Sequence, residues 1–324
     1  MKALRLLLFL ASLSLSASSS DAYTLLTDGQ ANRALATLNQ QVAANPRDAR
    51  AHNLLCRVFY QEERWDNAIS ECERAVALDP RNSSYQLWLG RAYGQKADHS
   101  SFVTAAGLAS KVRTAFEKAV QLDAKNVEAR CDLSEFYIEA PPFMGGGSDK
   151  AVTQAEALTQ YDPAAAHWLR ARVAEHRKQM DVAESEYKKA VEADRDRAER
   201  LFDLASFYRR TGRLNDMEVT VSRLSADPPQ NGAALFDAAS LLLRSGRNFP
   251  AAIDLFRRYL ASNTKGELGP AFQAYYRLGV LLEKTGDAAG AADAHRKALE
   301  LASDYAPAQT ALRRLQNGRV QNGN

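Results

Sequence analysis

Cysteine and histidine are scarce in this chain, with three cysteines and five histidines among 324 residues. The spacing of Cys56, Cys72 and Cys131 matches no metal-binding motif, and no histidines form the HxxxH or HExxH pairs of zinc sites. The sequence therefore predicts neither a metal site nor a bound cofactor.

Long apolar runs and an excess of one charge are also missing. No apolar run is long enough to span a bilayer. The net charge is +3, from 42 basic and 39 acidic residues, so composition gives no indication of a nucleic-acid partner. Hydrophobic residues make up 46% of the chain, enough for a large buried core.

The first residues differ from the rest of the chain. Two basic residues and an apolar run from 6 to 15 are followed by the small, polar stretch SASSSDA. This is the pattern of a secretory signal peptide, with cleavage expected before Tyr23 and possible after Ser18 or Ser19. We therefore expect residues 1–22 to be removed, no membrane span to remain, and the mature protein to be exported, either periplasmic or secreted.

A period of 34 residues follows. Pro46 in ANPRD and Pro80 in LDPRN are 34 positions apart. Between them, apolar and small residues recur three and four apart, the spacing of two helices joined by a short turn. These residues are Leu55, Cys56, Phe59, Ala68, Cys72 and Ala75.

The repeating pattern resembles the tetratricopeptide repeat family, whose 34-residue unit places a small residue at position 8, Tyr at 11, Ala at 20 and 27, and Pro at 32. Gly90, Ala205 and Gly279 match the small position. The resemblance covers residues 23–316, with a partial first repeat, about seven full repeats and a capping helix. It implies an all-α, right-handed solenoid of about fifteen helices. Residues 317–324 are predicted to form a disordered tail.

Two repeats exceed the period. Repeat three is ten residues longer, within GQKADHSSFVTAAGLASKVRTAF, and repeat four is five residues longer. In repeat three we predict two lengthened helices with a turn near Asp98 to Ser101; a binding protrusion is the alternative.

The extra residues of repeat four lie in APPFMGGGSDK, residues 140–150, between its two helices. A phosphate-binding loop would need Ser or Thr after Lys150 and a preceding strand, and neither is present. We therefore predict a structured turn in which prolines end one helix and glycines reverse the chain. The alternative is a contact loop, because Phe143 and Met144 are apolar residues at a turn.

No catalytic arrangement is recognisable. His167 and His176 are nine residues apart, Cys131 has no fixed histidine partner, and no serine lies in a nucleophile-elbow context. We predict a protein that is not an enzyme and has no small-molecule substrate. It is expected to act as an exported scaffold that binds an extended peptide or protein. A structural subunit of an envelope assembly and an accessory subunit of an envelope enzyme are the alternatives.

In this family the first helix of each repeat lines the concave face, with positions 2, 5, 9 and 12 directed into it. The resemblance thus implies partner-binding residues at positions 5 and 9. Arg and aromatic side chains commonly anchor interfaces, and Arg suits a carboxylate, so the expected ligand is a peptide with apolar side chains and an acidic group or free C-terminus. Packing alone is the alternative for the aromatic residues. The predicted set is Asn53, Arg57, Arg91, Trp168, Arg172, Phe202, Phe236 and Tyr276.

The same repeat frame places Cys56 and Cys72 at positions 8 and 24, on facing helices of one hairpin. We expect the two side chains to lie close together as small, buried apolar residues. A disulfide requires Cα atoms within about 7 Å and is the alternative.

Overall fold

The computed structural model describes residues 19–194, 198–226 and 232–321, and these ranges contain seventeen α-helices and no strand. Consecutive helices form hairpins that stack on the next hairpin, so the predicted all-α solenoid of helix-turn-helix repeats is confirmed. The helices are α1 Ser19–Thr27, α2 Ala31–Ala44, α3 Ala49–Gln61, α4 Trp65–Leu78, α5 Ser83–Asp98, α6 Phe102–Leu122, α7 Val127–Glu139, α8 Ser148–Leu158, α9 Pro163–His176, α10 Met180–Ala193, α11 Ala198–Arg210, α12 Leu214–Ala226, α13 Gly232–Ser245, α14 Phe249–Ala261, α15 Ala271–Lys284, α16 Ala288–Leu301 and α17 Ala306–Gln321.

Side-chain caps and small residues explain this arrangement. Several first helices begin at Asp or Asn: the side chain of Asp48 accepts a hydrogen bond from the Ala51 amide at 3.0 Å, which satisfies a donor that the helix leaves unpaired. Inside the hairpins, a Cβ on Gly90 would lie 2.4 Å from the ring of Phe116. The predicted small position therefore lets the two helices of a repeat approach closely.

The core runs along the solenoid between hairpins. Large side chains from both helices of the hairpins fill the space between neighbouring repeats, and several are fully buried. Because each hairpin has an apolar face that it cannot bury by itself, stability depends on contact between successive repeats. The largest fully buried aromatic residues are Tyr187, Phe207, Phe256, Tyr259 and Phe272.

A disulfide joins the helices of the second hairpin. The Sγ atoms of Cys56 and Cys72 are 2.09 Å apart, with their Cα atoms 5.2 Å apart. The proximity that the repeat frame predicts is confirmed, but the two residues are bonded rather than two free apolar side chains. Cross-links that close loops of this size stabilise a fold by about 3 kcal/mol, mainly by restricting the unfolded chain.

The two ends of the solenoid meet, which the sequence pattern did not indicate. An apolar cluster combines residues of α1 to α3 with residues of α15 to α17, including Leu26, Leu38, Phe272 and Tyr305. Polar contacts surround it: Tyr305 donates to Glu63 at 3.1 Å. The first and last hairpins thus bury each other's apolar surface.

The loop between α14 and α15 completes this contact. Arg57 Nε donates to Oε1 of Glu267 at 2.5 Å, and a second guanidinium nitrogen donates to Oε2 of the same carboxylate. Gln61 Nε2 donates to the carbonyl oxygens of Glu267 and Leu26, at 2.7 and 3.2 Å. Gln273 in turn donates to the carbonyl oxygen of Gln61 at 2.9 Å. The α14–α15 loop is therefore held against α3.

The boundaries of the chain differ in part from expectation. Helix α17 continues to Gln321, five residues into the segment 317–324 that we predicted to be a disordered tail. At the other end, α1 begins at Ser19, and most of the predicted signal segment, residues 1–18, lies outside the described residues. Among the helices that are described, none has the length and hydropathy needed to cross a membrane.

Gly29 offers a selective test of the contact between the two ends. It has φ +68°, and an added Cβ would lie 2.3 Å from the amide nitrogen of Ala271. Gly246 has nearly the same φ, +67°, with open space around the Cβ position. We expect Gly246→Ala to lower the free energy of unfolding by about 1 kcal/mol through backbone strain alone, and Gly29→Ala by about 2 kcal/mol more.

Thermal unfolding and small-angle X-ray scattering would measure both effects. Gly29→Ala should also increase the radius of gyration, because the first and last hairpins separate, whereas Gly246→Ala should not. Equal losses of stability with unchanged radii in the two variants would contradict the closed arrangement.

Candidate functional site

The three predicted partner-binding arginines lie on the first helices α3, α5 and α9, and each is bound to carboxylates of the chain itself. The pairs are Arg57 with Glu267, Arg91 with Asp132 and Glu128, and Arg172 with Glu135, Glu139 and Glu175. Burial alone would lower the pKa of Arg172, but hydrogen bonds and the charge of Glu135 outweigh it and raise that pKa. Because these arginines are already paired within the chain, they do not support the expectation of an acidic ligand.

The predicted aromatic residues are packed against neighbouring side chains. Phe236 is buried against Phe256 and Tyr259, and the partly buried Tyr276 contacts Tyr305 with ring centroids 5.6 Å apart. The remaining predicted residues, Trp168 and Phe202, are partly buried in the core, and Asn53 is buried. Packing thus accounts for the positions of these side chains, and their proposed contact with a partner needs separate support.

A cleft of about 640 Å³ opens between the two lengthened repeats. We name it the α5–α6 cleft. It is formed by the α5–α6 hairpin, α7 and the turn after it, with Tyr60 from α3 and Leu268 from the α14–α15 loop. Its lining residues are Tyr60, Arg91, Gly94, Gln95, Ala97, Asp98, Phe102, Ala105, Ala109, Val112, Phe116, Asp132, Glu135, Phe136, Glu139, Ala140, Pro141, Met144 and Leu268.

The ten extra residues of repeat three build one wall of the cleft. They lengthen α5 to 16 residues and α6 to 21 residues, with the turn at His99 to Ser101, as predicted. At the start of α6, Phe102 is 71% exposed although it is a large apolar residue. Leu268, which the α14–α15 loop places at the same cleft, is 68% exposed. Exposed apolar side chains at a concave surface are typical of interaction sites.

The turn after α7 forms the opposite wall. It contains a short 3₁₀ helix, Pro142–Met144, followed by Gly145 with φ +98°. A Cβ on Gly146 would lie 1.7 Å from the carbonyl oxygen of Ala140, so only glycine fits. Lys150 Nζ donates to the carbonyl oxygen of Gly145 at 2.8 Å, so this lysine stabilises the turn. The predicted structured turn is confirmed, and it directs Met144 into the cleft.

The charged groups of the cleft are mainly acidic. Four carboxylates line it, against the single guanidinium of Arg91, which bonds to Asp132 at 2.6 Å. Burial raises the pKa of Asp132, although the charge of Arg91 opposes the shift. The acidic lining residues are Asp98, Asp132, Glu135 and Glu139. A ligand with apolar and positively charged groups would complement this surface.

The 34-residue period identified both insertions but did not indicate that they border the same cleft. The excess over the 34-residue period was the available signal, since insertions that interrupt a repeat often serve contacts. Leu268 could not have been found in this way, because it reaches the cleft only through the contact between the two ends of the solenoid. In the part of the chain that the structure describes, no three His, Cys, Asp or Glu residues are placed to hold a metal ion.

Gly146→Ala tests how the turn shapes the cleft. We expect a loss of about 1–3 kcal/mol in unfolding free energy, because the added methyl group clashes with the Ala140 carbonyl oxygen. The rearranged turn should move Met144, which is one of four methionines, and so shift its ¹³C-methyl NMR signal. Gly107→Ala is the control, since its Cβ would meet nothing within 4 Å. An unchanged Met144 signal in Gly146→Ala would contradict this role.

Comparisons with known proteins agree with the repeat architecture. The tetratricopeptide repeat family model matches residues 22–83, 145–198 and 236–306. Cellulose synthase operon protein C of Escherichia coli K12 is 38% identical over 60 residues, 18% of this chain; the putative protein of the same name from strain O157:H7 matches equally. The matched segment spans only 5% of the length of these curated relatives.

Among similar solved structures, yeast Tom70 shows the same fold. Yeast Tom70 has a TM-score of 0.53 at 16% identity, covering 96% of this chain and 66% of Tom70. A tetratricopeptide repeat protein of Thermus thermophilus has a TM-score of 0.48 at 20% identity, covering 57% of this chain and 94% of that one. With the family model matching more than half of the sequence and the helical hairpins stacked as described, this chain belongs to the tetratricopeptide repeat family.

Proposed function

We propose that the protein is an exported, non-catalytic scaffold that binds a segment of a partner protein on its inner face, at the α5–α6 cleft. The observation that carries this proposal is the cleft itself, where the exposed side chains of Phe102 and Leu268 border a cavity of about 640 Å³. Interaction with proteins through such surfaces is the general use of this fold. Among the predicted partner-binding residues, Arg91 lines the cleft.

The charges of the cleft favour a particular partner. Asp132 pairs with Arg91, and Glu135 and Glu139 both pair with Arg172. With Asp98, four lining carboxylates therefore face two arginines, which leaves an excess of negative charge at the cleft. A peptide with an apolar anchor and a nearby Lys or Arg would bury its anchor against Phe102 and place its positive charge near these carboxylates. This replaces the acidic ligand expected from the sequence.

Synthetic peptides provide the test. A set of extended peptides with a Leu or Phe anchor and a flanking Lys would be compared with the same peptides carrying Glu, by fluorescence anisotropy. The wild-type protein should prefer the Lys series, and Phe102→Ser should weaken binding by about tenfold through loss of the apolar contact. Val219→Ser is the matched control, because Val219 is 64% exposed on α12, away from the cleft.

Charge variants test the second half of the proposal. Asp98→Asn combined with Glu139→Gln should reduce the preference for Lys over Glu peptides while leaving the anchor contribution intact. Equal binding by Phe102→Ser and Val219→Ser would show that partners are not bound at the α5–α6 cleft. A preference for Glu peptides that Phe102→Ser weakens would show that the partner chemistry assigned to the α5–α6 cleft is wrong.

Two observations support export. One is the signal-peptide pattern of residues 1–22, and the other is the Cys56–Cys72 disulfide, since disulfides persist mainly outside the reducing cytosol. The structure bears on the cleavage position as well. Ala22 is fully buried in the cluster between the two ends. Cleavage after Ser18 or Ser19 would retain the Ala22 side chain in this cluster, whereas cleavage before Tyr23 would remove it.

Mass spectrometry of the protein from its native host would test export directly. We expect an N-terminus between residues 19 and 23, and a peptide pair linked through Cys56 and Cys72 with Cys131 as a free thiol. A mature chain that retains Met1, or fully reduced Cys56 and Cys72, would remove the support for export. Retention of residues 1–18 alone would leave the cleft proposal unaffected.

A second candidate function is a structural role in an envelope assembly. The match to cellulose synthase operon protein C over 60 residues supports it, because that name denotes an operon for polysaccharide synthesis. Co-purification as a stable complex, rather than exchangeable binding of peptides, would favour this second function.

A further inference from the structure

Three arginines on first helices of the C-terminal half form no ion pair with a carboxylate of the described residues. Arg209, Arg244 and Arg277 lie on the consecutive first helices α11, α13 and α15, and among the described residues none of them forms an ion pair. Other first-helix arginines differ: Arg210, beside Arg209 in sequence, donates to both oxygens of Glu175 at 2.6 and 2.9 Å. The three therefore form a separate group, named here the arginine cluster.

Neighbouring side chains hold the arginine cluster in place. The guanidinium of Arg277 lies 4.6 Å from the centre of the Phe236 ring and donates to Ser240 Oγ at 2.6 Å. The guanidinium of Arg244 lies 5.9 Å from the centre of the Phe202 ring. Because Phe202, Phe236 and Ser240 belong to the packed first helices, these contacts fix the positive groups without neutralising them.

The charges of the arginine cluster repel one another. Arg244 is exposed at the surface, but desolvation of part of its side chain lowers its pKa, and the positive charges of Arg277 and Arg209 lower that pKa further. Burial also lowers the pKa of Arg277. The Nε–H group of Arg209 is buried and has no acceptor. A buried donor without an acceptor is unfavourable, so the described part of the chain leaves the guanidinium of Arg209 without a compensating partner.

The carboxylate of Asp237 interacts electrostatically with Arg244 and Arg277. Burial raises its pKa to about 6, although Arg244 and Arg277 oppose the shift, and Glu199 adds to it. Glu63 and the hydroxyls of Tyr305 and Tyr276 also act electrostatically on Arg277 and partly oppose the lowering of its pKa. The carboxylates of Asp237 and Glu63 do not balance the three guanidinium groups, which leaves this part of the first-helix face positively charged.

We propose that Arg209, Arg244 and Arg277 bind an oxyanion group of a ligand, either a carboxylate or a phosphate. Guanidinium groups match such anions because their N–H donors pair with two oxygens at once. The site is distinct from the α5–α6 cleft. It does not include Arg57, Arg91 or Arg172, the arginines at position 9 of their repeats. It assigns an acidic ligand to arginines that the chain leaves unpaired.

Calorimetric titration with citrate and with inorganic phosphate, at constant ionic strength against a chloride reference, tests the site. In thermal unfolding, binding of either anion should raise the Tm above its value in chloride, since a ligand that binds only the folded state stabilises that state. Arg244→Gln should weaken binding by about tenfold, the typical value of one hydrogen bond to a charged group. Tighter binding of citrate would indicate carboxylate ligands, and tighter binding of phosphate would indicate phosphorylated ones.

Three further variants complete the test. Arg258→Gln, on the exposed face of α14, is the control and should leave anion affinity unchanged. Asp237→Asn removes the competing carboxylate with little change of shape, so it should bind the anion more tightly than the wild type. Phe102→Ser should bind citrate normally, which separates this site from the cleft. If Arg244→Gln binds as well as wild type, or if Asp237→Asn does not bind more tightly, the proposal is overturned.

Discussion

Mutual burial of the first and last hairpins is the constraint on which the rest of this structure depends. A stack of hairpins has an apolar face at each end, and repeat proteins usually cover it with a polar capping repeat. Here Leu26 and Leu38 near the start of the chain pack in one cluster with Phe272 and Tyr305 near its end. Each end therefore serves as the cap of the other, and the solenoid has no apolar end left open at these residues.

The repeat frame was predictable because it depends on local spacing. Small residues such as Gly90 and Gly279 mark close helix contacts, and a Cβ on Gly279 would lie 2.4 Å from the ring of His295. The same frame located both insertions and placed Cys56 beside Cys72. Such features need only the preceding or following helix, so a single sequence contains the necessary information.

Contacts between the ends were not predictable in this way. Arg57 and Glu267 are 210 residues apart, and no periodicity links them. The same limit applied to the first helices, where position 9 identified Arg91 and Arg172 but not the carboxylates that pair with them. Whether an arginine is available for a ligand depends on the neighbouring repeat. For this reason the unpaired guanidinium of Arg244 became visible only in the structure.

Closure and binding are linked through one loop. Glu267 pairs with Arg57 and so holds the α14–α15 loop against α3, and the next residue, Leu268, lines the α5–α6 cleft. The carbonyl oxygen of Glu267 accepts from Gln61, one residue after Tyr60, which also lines the cleft. The cleft is thus complete only when the ends are joined. Since stability in a solenoid is carried by contacts between neighbours, separation of the ends would remove Leu268 from the cleft while most hairpins stay folded.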